Sequence, residues 1–299
     1  MGAIGILGLD TSHAEAFAQV IERTEDASVA AVWDGGDVRA DDYASEFADR
    51  HGASVCNDPH DMVGEVDGAM VLTVDWDSHA ELAAPFLETG VATLVDKPLA
   101  GGLADLEALA AAADGAGLFG GSAVPYHPAL AELAAELADH PGGALYGVGC
   151  NHPFYYGAHL VDVVRSVVDA DWHSVAPAED PGSTVDVVFA DDTYATLRMD
   201  GPDPRGGGQY HLLCTDPAQS VTVAFDQESL QAVYESYVGD FLDVVRGECD
   251  GTTARVLDAG RLLLAVHAAL DSGQVVTPGS EELGEFHADG GVFLETYRS

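Results

Sequence analysis

Residues 68–98 read GAMVLTVDWDSHAELAAPFLETGVATLVDKP. The run GAMVLTV (68–74) is apolar almost throughout, as a strand buried on both faces of a parallel sheet has to be. Ser78-His79-Ala80-Glu81 has the spacing of a capping box, in which Ser78 accepts from a backbone N–H and Glu81 reaches back. The helix that starts there runs over 79–89 and stops at Gly90, a residue suited to a helix end. VATLVD (91–96) is the next buried strand. A strand, a helix and a second strand in this order make one parallel crossover.

The same rhythm extends outward on both sides. AIGILGL (3–9) is a first strand, and Ser12-His13-Ala14-Glu15 repeats the capping signature ahead of a helix to about Arg23. SVAAVWD (28–34), a helix over 40–50, a short strand over 53–56 and a helix over 59–64 follow. Beyond residue 96 come a helix over 102–114 and the strand LFGGSAV (118–124). Alternation of this kind predicts an α/β fold, a Rossmann-type doubly wound parallel sheet over residues 1–122. The pattern then changes. A helix over 128–139, ALYGVGC (144–150) and a helix over 157–168 precede strands over 172–176, 184–190, 193–199, 208–214 and 220–225. Helices over 228–246 and 254–272 and a Gly-containing tail complete residues 123–299. Strands followed by helices predict an α+β domain with an open-faced, mainly antiparallel sheet.

The chain has 299 residues, with 51 Asp and Glu against 11 Lys and Arg, a net charge of −40. The acidity runs through both halves, and 47% of residues are hydrophobic, which separates this chain from disordered acidic segments. Its composition resembles that of proteins from salt-in halophiles, although an acidic mesophile protein has the same balance. Such a charge repels phosphate backbones and anionic lipid, so neither nucleic acid nor membrane is expected as a partner. No apolar stretch approaches the 18–20 residues of a membrane span, and MGAIGILGLD reads as a first strand because it lacks the basic start of a signal peptide. Cys56, Cys150, Cys214 and Cys249 are scattered, without disulfide-framework or zinc spacing, so no metal is expected and a reducing cytoplasm fits.

The basic residues are ten arginines and one lysine, Lys97. A lysine at the C-terminal end of a central strand lies at the crevice where open α/β sheets bind ligands. Its ammonium can donate to a substrate oxygen or relay a proton. The turn after the first strand departs from the dinucleotide fingerprint G-x-G-x-x-G: Gly8 is present, while Asp10 and His13 stand where the other glycines belong, and all three are expected among the cofactor contacts. The helix N-terminus still offers N–H groups to phosphate, with the Thr11 and Ser12 hydroxyls beside them. Asp34, about 25 residues after Gly8, is placed to bind the ribose hydroxyls of NAD and to repel the 2′-phosphate of NADP, which remains possible. The two SHAE segments follow strands that meet at the switch point, so His13 and His79 are expected on opposite lips of the crevice, with Asp75 as a further cofactor contact.

The segment 78–100, with Asp96-Lys97-Pro98 at the end of its strand, resembles the glucose–fructose oxidoreductase/inositol dehydrogenase (Gfo/Idh/MocA) family, whose corresponding motif is Glu-Lys-Pro. The late helices, FLDVVRG and LLLAVHAALDSGQVV, extend the resemblance over nearly the whole chain. It implies an NAD(P)-dependent oxidoreductase passing hydride between nicotinamide and a sugar- or polyol-like alcohol or carbonyl. Asp96 and Lys97 then lie beside the cofactor, and Lys97 polarises the substrate oxygen. Against the family's alternative spacing, His13 matches a histidine found just after the fingerprint, with the turn about three residues shorter. Residues 151–162 look like the family's substrate helix, G-x-x-x-D-x-x-x-H. His159 matches its histidine, which moves the proton, whereas the family's Asp falls on Tyr155, leaving Tyr155 or Tyr156 to bind substrate. His152, Tyr126 and His127 are weaker candidates. The open sheet face implies a homodimer or homotetramer. The altered turn also admits a non-redox metabolite-binding or regulatory protein on the same scaffold, or a lyase or isomerase that holds NAD tightly.

Overall fold

A computed structural model describes residues 2–35, 38–114, 116–138, 142–201, 209–216 and 218–298. Residues 36–37 of the turn after Asp34, and residues 139 and 208 at the edges of expected elements, lie outside them. By packing the chain divides into two units, the first made of Met1–Gly120, Tyr234–Leu257 and Asp289–Ser299, the second of Gly121–Val233 and Asp258–Ala288. A single division between residues 122 and 123 does not provide for the later segments that return to the first unit.

In the first unit, β1 (Gly2–Leu7), β2 (Ala27–Trp33), β3 (Ser54–Val55), β4 (Gly68–Val71), β5 (Ala92–Val95) and β6 (Leu118–Gly120) are all parallel, in the order β3-β2-β1-β4-β5-β6. β1, β4, β5 and β6 are apolar and buried in their central residues because helices can cover both faces of such a sheet. The covering elements include α1 (Ser12–Arg23), α2 (Tyr43–His51), α3 (His79–Glu88) and α4 (Leu103–Ala112). On α1 the inward residues Ala14, Phe17, Ala18 and Ile21 follow the helical repeat. The strand order reverses between β1 and β4, the crevice in which doubly wound sheets take ligands. Register brings Leu7, Val71 and Val95 level, so Gly8, Leu72 and Asp96 leave the sheet side by side.

The expected strands over 68–74 and 118–124 end early. Thr73 and Val74 belong to the turn after β4, and Gly120 and Gly121, at φ +148° and +72°, break the extended path of β6. The helix expected over 59–64 is one 3-10 turn over Pro59–Met62, and the tail expected as coil holds α9 (Glu281–Glu285) and α10 (Gly290–Tyr297).

In the second unit, β7 (Ala144–Val148), β8 (Trp172–Pro177), β9 (Thr184–Phe189), β10 (Tyr194–Arg198), β11 (Gln209–Thr215) and β12 (Ala218–Ala224) form one sheet in the order β12-β11-β7-β10-β9-β8. Only the β7–β10 pair is parallel. α5 (Pro128–Ala138) and α6 (Gly157–Val167) pack together, and α6 lies against β7. Leu145, Leu197, Tyr210 and Leu212 point inward, while Tyr146, Tyr194 and Leu213 are exposed, the period-two alternation of a sheet covered on one side. α7 (Gln227–Val245) and α8 (Thr253–Ser272) supply segments to both units. No helix among the described residues is long and apolar enough to cross a membrane.

Candidate active site

The turn after β1 is built on Gly8. At φ +89° it lies in a region that favours glycine, and an added Cβ would stand 2.6 Å from the backbone nitrogen of Thr73. Asp10 turns inward and is buried, its Oδ2 accepting from the Val74 N–H at 2.8 Å. It therefore ties the turn after β1 to the turn after β4; it is not the open cofactor contact expected of it. The cap of α1 is Thr11, whose hydroxyl accepts from the His13 N–H at 3.1 Å, and Ser12 is the first helical residue, exposed. Thr11 takes the role because it is the last extended residue, at φ −104° and ψ 170°. Glu15 accepts from Arg50 at 2.8 Å and Gln19 at 3.1 Å, so the expected capping box is replaced. Asp34, half-buried, follows β2 directly. Arg39 donates from Nε to the Leu9 carbonyl at 2.9 Å and stacks over Tyr43.

The end of β5 places Asp96 against His13. Asp96 Oδ2 lies 2.7 Å from His13 Nδ1, and Oδ1 accepts from the Lys97 N–H at 2.8 Å. Burial alone would raise the Asp96 carboxyl, but the His13 imidazole and the Lys97 ammonium and N–H outweigh it and hold the group well below the ordinary carboxylate range. His13 stacks on Phe17 at 5.1 Å and meets the edge of Tyr234 at 5.6 Å. Lys97, whose bond to Pro98 is cis, is 4% exposed. Burial pushes its ammonium down to about 8 against the opposing pull of Asp96. An amine so tuned can exchange a proton near neutral pH.

His79 does not form a lip of the crevice. It is fully buried, with Nε2 2.9 Å from the Thr73 carbonyl and Nδ1 3.3 Å from the Leu99 carbonyl. Burial lowers its pKa, and the ring staples the turn after β4 to the segment after β5. Ser78 makes no side-chain cap; its hydroxyl donates to the Asp75 carbonyl at 2.6 Å and meets Thr73 Oγ1 at 2.8 Å. Asp75 caps the short 3-10 turn Trp76–Ser78 by accepting from the Asp77 N–H at 3.1 Å. Asp77 accepts from the Gly290 N–H at 2.9 Å, and Trp76 packs on Phe293, so α10 docks beside this turn.

In the second unit, His159 lies on the first turn of α6 with Tyr156 and Tyr210 around it, at ring distances of 6.0 and 5.8 Å. Its Nδ1 lies 2.6 Å from the Ser122 hydroxyl, and one turn along α6 Asp162 accepts from the Ser122 N–H at 2.7 Å. Tyr155 is buried, its N–H donating to His152 Nδ1 at 3.1 Å. Ser122, Asp162, Arg39 and Tyr234 were not singled out in the sequence. Only Ser122 had a local signal, the glycine pair that precedes it.

A doubly wound sheet with a glycine turn at its switch point and a lysine at the end of β5 defines a dinucleotide-binding protein of the α/β class. Residues 3–120 match the model of the Gfo/Idh/MocA oxidoreductase family with an NAD-binding Rossmann fold. A probable dehydrogenase from Thermotoga maritima superposes with a TM-score of 0.78 at 16% identity, covering 94% of this chain and 99% of that one. GenD2 from gentamicin A biosynthesis, in complex with NAD, gives 0.77 at 17% identity over 92% and 95%. The scyllo-inositol dehydrogenase from Lactobacillus casei, with NAD(H) and scyllo-inositol bound, gives 0.75 at 14% identity over 94% and 100%. At these identities the likeness is one of fold. No curated protein matches this chain by sequence.

Proposed function

We propose that this chain is an NAD-linked dehydrogenase of a sugar- or polyol-like alcohol. The observation that carries the reading is Lys97, the sole lysine of an acidic chain, buried at the end of β5 with its amine lowered to about 8. A lysine buried in this way costs stability, which favours a role in chemistry over one in packing. The scyllo-inositol dehydrogenase with the same fold supports a polyhydroxylated substrate.

The turn after β1 fits the cofactor. Gly8 allows the close approach of backbone, Asp10 is turned inward, and the exposed Ser12 and the first N–H groups of α1 are left to face a pyrophosphate. Asp34 holds the adenosine ribose in this reading, which favours NAD over NADP, and His13 and Asp96 keep Lys97 in place. Bound NAD supplies the hydride acceptor. By the family resemblance Lys97 polarises the substrate oxygen and His159, with Tyr156 beside it, takes the proton.

The test is NADH formation in molar KCl with NAD and a panel of inositols and sugars. Wild type turns over at least one of them, and Lys97→Ala lowers kcat/KM by about 10²–10⁴-fold, the range of acid–base contributions. Unchanged turnover in the variant would refute the assignment. Bound NAD without net NADH would point to the lyase or isomerase chemistry instead.

We also infer that the open face of the second sheet joins two copies of the chain. Tyr146 and Leu213, 43% and 49% exposed, are paired across β7 and β11 on that face. The free cysteines and the acidic surface suit a reducing, salt-rich cytoplasm.

A further inference from the structure

We infer that α10 walls the cofactor crevice of the first unit, and that Tyr297 at its end is a cofactor-binding residue whose phenol donates to the phosphates of the dinucleotide. The identity of the ligand rests on the proposed NAD-linked reading, while the placement of α10 lies wholly within the first unit.

The near end of α10 is built to dock. Asp289 caps it by accepting from the Val292 N–H at 2.8 Å, and Gly290 donates its N–H to Asp77 Oδ2 at 2.9 Å. A Cβ on Gly290 would run into Asp75 Oδ1 and stand 2.9 Å from the Trp76 backbone nitrogen, so only glycine lets the helix start this close to the turn after β4. Phe293 then packs on Trp76 at 5.2 Å. Tyr297, one turn further along the same face, meets Phe293 at 6.2 Å.

The far end reaches across the switch point. At 1.5 Å a residue, the 8 residues of α10 carry the chain about 10 Å from the turn after β4. There Tyr297 feels charges from two other strand ends. Partial burial raises the pKa of its phenol, the Arg39 guanidinium opposes the rise, and the Asp10 and Asp96 carboxylates add to it. Asp10 belongs to the turn after β1, Arg39 is tied to that turn through the Leu9 carbonyl, and Asp96 follows β5. The phenol thus stands among the groups that surround the place where a doubly wound sheet takes its ligand. At 40% exposure it is a wall of the crevice and not a plug in it.

The chemistry suits an anion. A phenol that keeps its proton through the neutral range is a hydrogen-bond donor without charge. A pyrophosphate brings more negative charge into a chain of net −40, which favours such a donor and the neighbouring Arg39 guanidinium over any further carboxylate. Asp10 is no obstacle, because its carboxylate turns inward to the Val74 N–H.

The test uses whole protein in molar KCl, with calorimetric titration of NAD and of ADP-ribose, and hydrogen exchange followed by mass spectrometry over residues 289–298. Tyr297→Ala should weaken both ligands alike, about 10- to 100-fold, and Tyr297→Phe, which keeps the ring, about three- to tenfold. A merely structural tyrosine would leave the phenylalanine variant unmoved. NAD should slow exchange in α10 of wild type, and Gly290→Ala should speed that exchange without cofactor and weaken NAD binding. An NAD affinity in Tyr297→Ala within twofold of wild type, or tighter, overturns the inference, as does a loss for NAD without a loss for ADP-ribose or an α10 exchange indifferent to NAD. Should Tyr297→Ala not fold, Tyr297→Phe decides it. Wild type that binds neither ligand at millimolar concentration removes this inference and the cofactor reading together, whereas NAD binding that is blind to Tyr297 removes this inference alone.

Discussion

Lys97 carries its charge at a thermodynamic cost. The fall of its pKa from 10.5 to about 8 means that, between those values, the unfolded chain binds more protons than the folded one. Stability then rises with pH across that window, and below about 8 the whole penalty is present, on the order of 3 kcal/mol. Lys97→Met should raise the unfolding free energy at pH 7 by about 1–2 kcal/mol, less than the full penalty because Asp96 loses a neighbour that favours its charge. The gain should fade as pH approaches 10.5. Denaturant titrations at pH 7 and 10 check this, and a gain that grew with pH would contradict it. Lys97 was legible in the sequence because a single lysine in an acidic chain is a compositional anomaly at a known strand end. His79 and Asp10 were misread for a common reason. Their spacing resembles that of ligand contacts, whereas their partners are backbone groups of Thr73, Leu99 and Val74 that only the folded turns bring near. Ser122 had no signal beyond the glycine pair before it, because its partner lies 37 residues away.

Among the elements, β1 and β4 pair in parallel and their following turns meet at Gly8. Gly8→Ala combines a left-handed backbone with a contact against the Thr73 backbone that neither partner can relieve. It should destabilise the nucleotide-free protein by at least about 2 kcal/mol, against about 1 kcal/mol for removing the α1 cap with Thr11→Ala. Thermal unfolding without cofactor measures both, and a Gly8→Ala protein as stable as wild type would disprove the close approach. The elements themselves were readable wherever an apolar run of period one, two or 3.6 ended at a glycine, as at Gly90. Boundaries failed where the turn chemistry is made by tertiary contact. The strand after residue 68 stops at Val71 because Thr73 and Val74 are claimed by His79 and Asp10. α10 was missed because its docking partners, Asp77 and Trp76, lie more than 200 residues earlier.

At the scale of the whole molecule, a charge of −40 on 299 residues makes folding and association depend on the solvent. Screening shortens from about 10 Å at 0.1 M salt to about 3 Å at 1 M. The melting temperature and the mass measured by light scattering should therefore rise together with KCl, with most of the change complete by about 1 M. Leu213→Asp should hold the mass at that of one chain while leaving the melting response to salt in place. A melting temperature indifferent to KCl would show that self-repulsion is unimportant here. Two architectures joined in one chain were legible from rhythm alone, but the membership of each unit was not, because it depends on which late helices return to the first sheet. That return has a consequence for biosynthesis. Phe17 and Phe119 pack on Tyr237, Phe119 on Phe241, and Trp76 on Phe293. A ribosome that has just finished Gly120 has joined every strand of the first sheet but has yet to make Tyr237, Phe241 and Phe293. The first unit must wait, with apolar surface open, for residues translated well over a hundred positions later, and it is over that interval that a chaperone would find most to hold.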